Sequence, residues 1–118
     1  FATQWRTLFD RADRDRDGFI TLAIDQVASF VVDDKLVDVV TRDGRRFGLD
    51  RTLGELESEL DPAEFFRVNR QYLVAAVAVA GFRPFAKGKL LVDLAPPPTS
   101  EVVVSQENAA RFRAWLAG

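Results

Sequence analysis

The sequence of 118 residues predicts one mainly β domain, built from antiparallel strands with two modest helices. Short apolar runs recur along the chain with turn signals between them, a pattern typical of antiparallel strands. Only two longer stretches combine a helix start signal with helical spacing of their apolar residues. Hydrophobic residues make up 47% of the chain, which at this length is enough for a single core.

The beginning of the chain allows two interpretations. Trp5, Leu8, Phe9 and Ala12 recur at the spacing of a helix face, which favours a short helix. The other interpretation is a strand in the same region, preceded by a lead-in segment at residues 1–5.

Residues 13–24 begin like a calcium-binding EF-hand loop. Asp13, Asp15 and Asp17 stand at positions 1, 3 and 5 of that pattern, followed by Gly18 at position 6. Position 12, where a bidentate glutamate is required, is Ile24. Asp-Gly before an apolar run is also an ordinary hairpin turn signal. We therefore predict a hairpin connection here, with a calcium-responsive module as the alternative.

Four strands are predicted next, at residues 19–22, 27–32, 36–41 and 45–49. A short connection joins the second strand to the third, and it consists of Asp33, Asp34 and Lys35. Asp43-Gly44 predicts a two-residue hairpin turn onto the fourth strand, the type of turn that hairpins prefer.

A capping box predicts the first helix. Thr52 is followed three residues later by Glu55, and the two can satisfy each other's backbone N–H groups. One face of this helix is apolar, and it is formed by Leu53, Leu56 and Leu60. The opposite face carries glutamates that we expect in solvent, far from any phosphate contact: Glu55, Glu57 and Glu59.

A second start signal, Asp61-Pro62, predicts a single helical turn after the helix. This turn should deliver Phe65 and Phe66 to the core. We expect Phe66 and Val68 to be buried under the leucines of the first helix.

The last third of the chain predicts three strands and a second helix. Paired strands at 77–82 and 89–94 are joined through residues 84–88, and a final strand covers 101–104. Pro96-Pro97-Pro98 cannot donate to a sheet and marks an exposed corner. Ser105 is placed to cap the final helix, whose apolar residues are Ala109, Phe112, Leu116 and the flanking Trp115.

Residues 65–74 fit neither a surface strand, which alternates, nor a buried strand, which carries no charge. The segment is therefore predicted to enter the core, expose a short polar loop and return. We call this loop, Asn69-Arg70-Gln71, the crest. Arginine and the amides are the side chains that read base edges with two hydrogen bonds, so the crest suits nucleic acid. An amphipathic edge strand with solvated arginines is the alternative.

The same run, FFRVNRQYLV, resembles the signature of the LytTR-type DNA-binding domain. Flanking features agree with that family in order and spacing, and they lie at residues 24–30, 35, 41–44, 52–56, 88–90 and 104–105. The resemblance covers residues 19–118, and residues 1–18 remain as a lead-in with the first strand and turn. The chain has Asn69 where histidine is commoner and Ala75 where asparagine is usual.

The resemblance implies antiparallel strands in successive small sheets, with both helices packed outside. It also implies a first strand near residues 7–12 that pairs with residues 19–22. Such domains lack a helix-turn-helix and insert loops into successive major grooves. By that likeness the base readers lie in three segments, which are Asp34-Lys35, the crest, and Gln106-Glu107-Asn108.

Within these segments, Arg70 is the first candidate for a direct base contact, since an arginine–guanine pair contributes about 1–3 kcal/mol of discrimination. Asn69 either reads adenine or braces Arg70, and Gln71 completes the crest. Gln106 and Asn108 are the candidates at the last helix, where Glu107 should repel phosphate.

Candidates for phosphate contacts, which set the register without carrying sequence information, are Lys35, Lys87, Lys89 and Arg111. For Arg111 and Arg113 the alternative is a solvated helix face. Arg67 precedes the crest and is predicted to be structural.

The resemblance implies sequence-specific binding of double-stranded DNA in transcriptional regulation, as the output module of a longer two-component response regulator. Family members commonly bind paired direct repeats as dimers. The charge distribution is compatible with this, because residues 1–66 carry a balance of −6 and residues 67–118 a balance of +4. A β-type protein-interaction module is the alternative, since the net charge is −2.

Histidine and cysteine are both absent, which removes Ser–His and Cys–His nucleophile pairs and ordinary zinc sites. We therefore predict no enzyme, no cofactor and no metal. No apolar run is long enough to span a membrane and no secretory pattern is present, so a cytoplasmic protein without a membrane partner is expected. The chain starts at Phe1 and has no methionine, and we expect a fragment of a longer protein.

Overall fold

The computed structural model describes residues 5–9, 20–49, 51–98 and 100–118, with side chains from residue 25 onward. Antiparallel strands dominate these residues, as predicted, and two helices accompany them. The strands are β1 Trp5–Phe9, β2 Ile20–Ala23, β3 Val27–Asp33, β4 Leu36–Thr41, β5 Arg46–Leu49, β6 Phe65–Arg67, β7 Tyr72–Ala75, β8 Val79–Pro84, β9 Leu90–Leu94 and β10 Val102–Val104. The helices are α1 Leu53–Glu59 and α2 Gln106–Ala117. Neither helix is long and apolar enough to cross a membrane.

The described strands form three small antiparallel sheets. The largest has the order β5-β4-β3-β7-β6, the second has the order β10-β9-β8, and β1 pairs with β2 alone. In the largest sheet, Val31 lies opposite Tyr72 and Asp33 lies opposite Leu36. The start of β7 and the β3–β4 turn therefore lie at the same end of this sheet.

The five-stranded sheet buries both of its faces. One face packs against α1 through Leu53, Leu56 and Leu60, whose side chains form one cluster with Phe30 and Leu73. The other face packs against the three-stranded sheet and α2, and this second cluster has Phe112 and Leu90 at its centre. Because successive residues of a strand point to opposite faces, the apolar run of β7 supplies both clusters in alternation.

This alternation corrects the prediction for Phe66 and Val68. Phe65 is the residue that joins the cluster under α1, and its ring lies 6.2 Å from that of Phe30. Phe66 points to the opposite face, where its ring lies 5.6 Å from that of Phe112. Val68 is buried on that same face. A displacement of one residue exchanges the two faces of a strand, and no local pattern of residues 65–68 distinguishes the two registers.

The local signals of α1 are confirmed. The Thr52 hydroxyl accepts a hydrogen bond from the Glu55 N–H at 3.1 Å, and the Glu55 carboxylate accepts one from the Thr52 N–H at 2.9 Å. Asp61 begins the single turn that follows, since its carbonyl accepts from the N–H groups of Glu64 and Phe65. Ser105 precedes α2 as predicted, but its side chain makes no capping hydrogen bond.

The hairpin turn at Asp43-Gly44 differs from the prediction, because three residues rather than two lie between Thr41 and Arg45, the hydrogen-bonded pair that closes the loop. The Thr41 N–H donates to the Arg45 carbonyl at 2.9 Å, which places residues 42–44 in the loop. Gly44 has a φ of +92°, which glycine adopts without a steric cost. A three-residue loop that ends in a left-handed residue is a common hairpin connection.

The first strand is present, but β1 covers Trp5–Phe9 rather than residues 7–12, and it pairs with Ile20–Ala23. Most of the calcium-like loop lies outside the described residues, which omit 10–19. The strand predicted at 77–82 begins later, at Val79, because Ala76–Ala78 form a short 3₁₀ turn. The division into residues 1–18 and 19–118 stays a prediction.

Candidate nucleic-acid interface

The crest is the loop of the β6–β7 hairpin. The Val68 N–H donates to the Tyr72 carbonyl at 3.1 Å, and this bond closes the hairpin beneath the three crest residues. Val68 is fully buried and Tyr72 is 3% exposed, so apolar side chains anchor both ends of the loop. The predicted path, from the core to a polar loop and back, is therefore confirmed.

Asn69 holds the crest from within. Its Oδ1 accepts hydrogen bonds from the backbone N–H groups of Gln71 at 2.8 Å and Tyr72 at 3.0 Å. Its Nδ2 donates to the carbonyl of Val103, in β10, at 2.9 Å. This arrangement supports the bracing role among the two considered for Asn69.

Arg67 holds the crest from below. Its Nε donates to the Asn69 carbonyl at 2.9 Å, and its Nη2 donates to the Arg70 carbonyl at 3.1 Å. Its Nη1 lies 3.3 Å from the Glu57 carboxylate of α1. The structural role predicted for Arg67 agrees with these contacts. Glu57 is exposed as expected, but it contacts the arginine beneath the crest instead of lying far from the candidate site.

Arg70 and Gln71 extend from this braced backbone into solvent. Within the part of the chain that the structure describes, no hydrogen bond or ion pair engages the side chain of either residue. The crest thus presents one guanidinium and one carboxamide outward, while groups of the protein bond to its three carbonyls and to the Gln71 N–H.

The second predicted segment lies beside the crest. Asp34 and Lys35 form the β3–β4 turn with φ angles of 51° and 74°, as in the tight turns that hairpins favour. The Val32 N–H donates to the Gln71 carbonyl at 2.9 Å, which ties this hairpin directly to the crest. Lys35 is exposed, and the acidic Asp33 and Asp34 precede it.

The third predicted segment, the start of α2, lies on another side of the crest. A recess of about 330 Å³ is lined by Arg67, Asn69, Arg70, Ser105 and Asn108. Gln106 and Asn108 therefore begin a helix directly beside Arg70, and Glu107 lies in the same first turn. A carboxylate there stabilises the positive end of the helix dipole, although it disfavours nearby phosphate.

Lys87 and Lys89 flank the same helix end. They lie on either side of Gly88, which has a φ of +79°, and a Cβ placed on this glycine would lie 3.0 Å from the Gln106 Cγ. Both lysines are exposed. Their turn thus brings two cations next to the first residue of α2.

Arg111 lies one turn further along α2. Its Nη1 is 3.4 Å from Asn108 Oδ1, and its guanidinium carbon is 5.9 Å from the centre of the Phe66 ring. It lines a groove of about 550 Å³ between α2 and β6, together with Arg67 and Trp115. Arg113 is exposed and does not line this groove.

The comparisons with known proteins agree with this geometry. The family model described as the LytTr DNA-binding domain matches residues 17–117. The chain belongs to the LytTR DNA-binding domain family. A solved LytTr DNA-binding domain, from a putative methyl-accepting/DNA response regulator of Bacillus cereus, superimposes with a TM-score of 0.77 at 23% identity. The match covers 100% of both chains, and it confirms the predicted fold.

A curated relative adds a sequence likeness. The CO-responsive transcriptional regulator RcoM of Rhodospirillum rubrum is 45% identical over 71 residues. That region covers 55% of the present chain and 27% of the relative, so this LytTR domain spans only part of the length of that protein.

The structure brings the crest and Lys35 to one end of the five-stranded sheet, beside the start of α2. Lys87 and Lys89 lie next to that helix start, and Arg111 lies one turn further along α2. Sequence reasoning missed Glu57 and Val103 as parts of this region. Val103 contributes its backbone carbonyl, and no pattern of side chains in the sequence could indicate that contact. A glutamate on a solvent face gives no signal of an ion pair with a residue ten positions away.

Proposed function

We propose that this LytTR domain binds double-stranded DNA sequence-specifically in transcriptional regulation, by inserting the crest into a major groove. The observation that carries the proposal is an outward Arg70 on a loop whose three carbonyls already accept hydrogen bonds from the protein. An arginine so presented can donate two parallel hydrogen bonds to the O6 and N7 atoms of guanine. Gln71 beside it has the donor and acceptor that adenine requires.

The neighbouring segments extend the proposed contact. Lys87 and Lys89, with Arg111, are placed to meet phosphates on one side of the crest, while Lys35 lies on the other side. Backbone N–H groups at the start of α2 add to this, because the first N–H groups of a helix lack intrahelical partners and favour anions. Such contacts position the protein on DNA, and the crest supplies the sequence preference.

We further propose that the domain acts as the output module of a longer cytoplasmic response regulator and engages paired direct repeats as a dimer. The net charge of −2 supports a requirement for two modules, since one acidic domain binds phosphate weakly. The proposal involves no catalytic step and no cofactor.

The test compares Arg70→Ala with Arg45→Ala, which removes an exposed arginine from the β4–β5 turn at the opposite end of the same sheet. Binding of the natural protein that carries this domain is measured on a selected duplex and on a scrambled one. Arg70→Ala should weaken specific binding by about 1–3 kcal/mol and relax the preference at one base pair, because it removes a bidentate contact. Arg45→Ala should leave both affinities unchanged.

Two outcomes would contradict the proposal. An equal loss on both duplexes would reduce Arg70 to a phosphate contact. A wild-type protein that prefers no sequence would exclude specific binding and favour the protein-interaction alternative.

A further inference from the structure

The side chain of Asn69 is committed to the protein itself. Its Oδ1 already accepts two hydrogen bonds, from Gln71 and Tyr72, which fill the two lone pairs of an amide oxygen. Reading adenine requires the Oδ1 and Nδ2 of one amide together. Asn69 is therefore poorly placed to read a base, although it lies in the middle of the candidate site.

Arg67 and Asn69 together enclose the backbone around Arg70. Arg67 donates to the carbonyls of Asn69 and Arg70, which are the two carbonyls that flank the Arg70 Cα. The Asn69 Oδ1 accepts from the N–H groups of the two residues that follow Arg70, which are Gln71 and Tyr72. The peptide groups around the reading arginine are thus held from both sides by side chains of the same hairpin.

Asn69 also joins the crest to the start of α2. Its Nδ2 donates to the carbonyl of Val103, although Asn69 and Val103 are 34 positions apart in the chain. Val103 lies three residues before Gln106, the first residue of α2. This bond holds the crest at a fixed distance from the helix end that carries Asn108. Two reading segments that are remote in sequence are thereby held as one unit.

We infer that Arg67 and Asn69 are positioning residues for DNA recognition, which preorganise Arg70 and keep the crest in register with the start of α2. The inference rests on the proposed function. Its physical basis is that a side chain held in its binding geometry before association loses less conformational freedom when it binds. Both residues therefore act through Arg70, and neither contacts a base directly.

The first experiment is a double-mutant cycle in the natural protein that carries this domain. Asn69→Ala, Arg70→Ala and the double variant are assayed on duplexes with each base of the selected site changed in turn. Asn69→Ala should reduce specific binding about tenfold, within the range of one lost bidentate contact, and at the same base pair as Arg70→Ala. The double variant should lose no more than Arg70→Ala alone, because residues that act through one contact are not additive.

Asn69→Ser is the second variant, and it also covers the case in which the alanine variant does not fold. A serine hydroxyl can accept from nearby backbone N–H groups, though more weakly than asparagine, but it cannot reach the Val103 carbonyl. We expect an intermediate loss of specificity. In hydrogen exchange, the N–H groups of Gln71 and Tyr72 should exchange faster in both variants, while those of β3 stay protected.

Arg67→Lys tests the second positioning residue without changing the charge. Lysine cannot reproduce the planar fork that reaches two carbonyls at once. Specific binding should therefore fall several-fold while binding to a scrambled duplex is retained. The matched control is Arg45→Lys, the same exchange on the opposite end of the sheet, which should change neither.

The outcomes separate this inference from the function on which it rests. A loss at a base pair of its own, or a loss that adds to that of Arg70→Ala, would make Asn69 a reader and overturn the inference alone. Equal losses on selected and scrambled duplexes for Arg67→Lys would make Arg67 a phosphate contact, which also overturns the inference alone. A wild-type protein without sequence preference would overturn both proposals.

Discussion

Two three-residue hairpin loops, the crest and the β4–β5 loop, lie at opposite ends of the five-stranded sheet and differ in their chemistry. We call the crest with the Asp34-Lys35 turn the reading end, and the β4–β5 loop at residues 42–44 the closed end. At the closed end the arginines bond to the protein: Arg42 donates to the Asp25 carbonyl, and Arg45 donates to the Asp43 carboxylate at 3.0 Å. At the reading end Arg67 satisfies the loop's carbonyls, which leaves Arg70 outward.

The comparison shows what makes an arginine loop suitable for recognition. Both loops need donors for their carbonyls and acceptors for their N–H groups, since unsatisfied backbone groups are costly. At the closed end the Arg42 and Gly44 N–H groups donate to the carbonyls of Gln26 and Thr41, and the Thr41 hydroxyl accepts from the Arg45 N–H. The Arg45 guanidinium is held by the Asp43 carboxylate. The reading end meets this need with Asn69 and with an arginine below the loop. The arginine at its tip therefore remains available for a ligand.

The largest expected effect concerns α2, which supports the reading end. Phe112 is fully buried and contacts the rings of Phe66 and Phe82 at 5.6 and 5.5 Å. Phe112→Ala should lower the free energy of unfolding by about 3–5 kcal/mol, because it leaves a cavity beneath α2. Phe47→Ala, at a half-buried ring in β5, should cost clearly less. Urea unfolding of both variants measures the difference, and equal losses would show that α2 is not held by Phe112.

Thr41→Val should weaken the closed end without affecting recognition. Thr41 is 1% exposed, and its hydroxyl donates to Asp43 and accepts from the Arg45 N–H at 3.0 Å. Removing this hydroxyl should cost about 0.5–1.5 kcal/mol in urea unfolding, the usual net contribution of an intramolecular hydrogen bond. The ratio of affinities for selected and scrambled duplexes should stay at the wild-type value. A reduced ratio would mean that the two ends are coupled.

Removing a lysine near the reading end should change the salt dependence of DNA binding, whereas removing an arginine from the closed end should not. Lys87→Ala and Lys89→Ala should each flatten the plot of log affinity against log salt by about one unit, on every duplex, because each releases one phosphate contact. Arg42→Ala removes the same charge from the closed end and should leave the slope unchanged. If all three variants have the same slope of log affinity against log salt, the two lysines do not contact phosphates.

The smallest expected effect is the response of the closed end to acid. The hydrogen bond from the Thr41 hydroxyl, followed by that from Arg45, holds the pKa of the Asp43 carboxyl below its ordinary value of 3.8. A carboxyl with a lowered pKa contributes stability above its ordinary pKa and loses that contribution as the pH falls through the lowered value. Below pH 3.8, stability should therefore fall less steeply in Asp43→Asn than in the wild type. Urea midpoints between about pH 5 and 2.5 measure this, and parallel curves would contradict it.

Some features follow from the sequence alone because they depend on residues close together in the chain. The capping box of α1 joins Thr52 to Glu55 across three positions, and the crest follows from the polar residues between Val68 and Tyr72. The family signature lies in the same short run, so fold and domain type could be predicted together. The site residues themselves remain predictions, since no comparison identifies them individually.

Other features depend on contacts between residues that are far apart in the sequence. Whether Phe65 or Phe66 lies under α1 depends on the register of β6 against β7, because a shift of one residue exchanges the faces. The role of Asn69 depends on a carbonyl 34 positions away, in the strand β10 of the second sheet. Local sequence specified which side chains the crest contains. The tertiary structure decided which of them the protein uses for its own hydrogen bonds, because that choice depends on the partners that packing brings within reach.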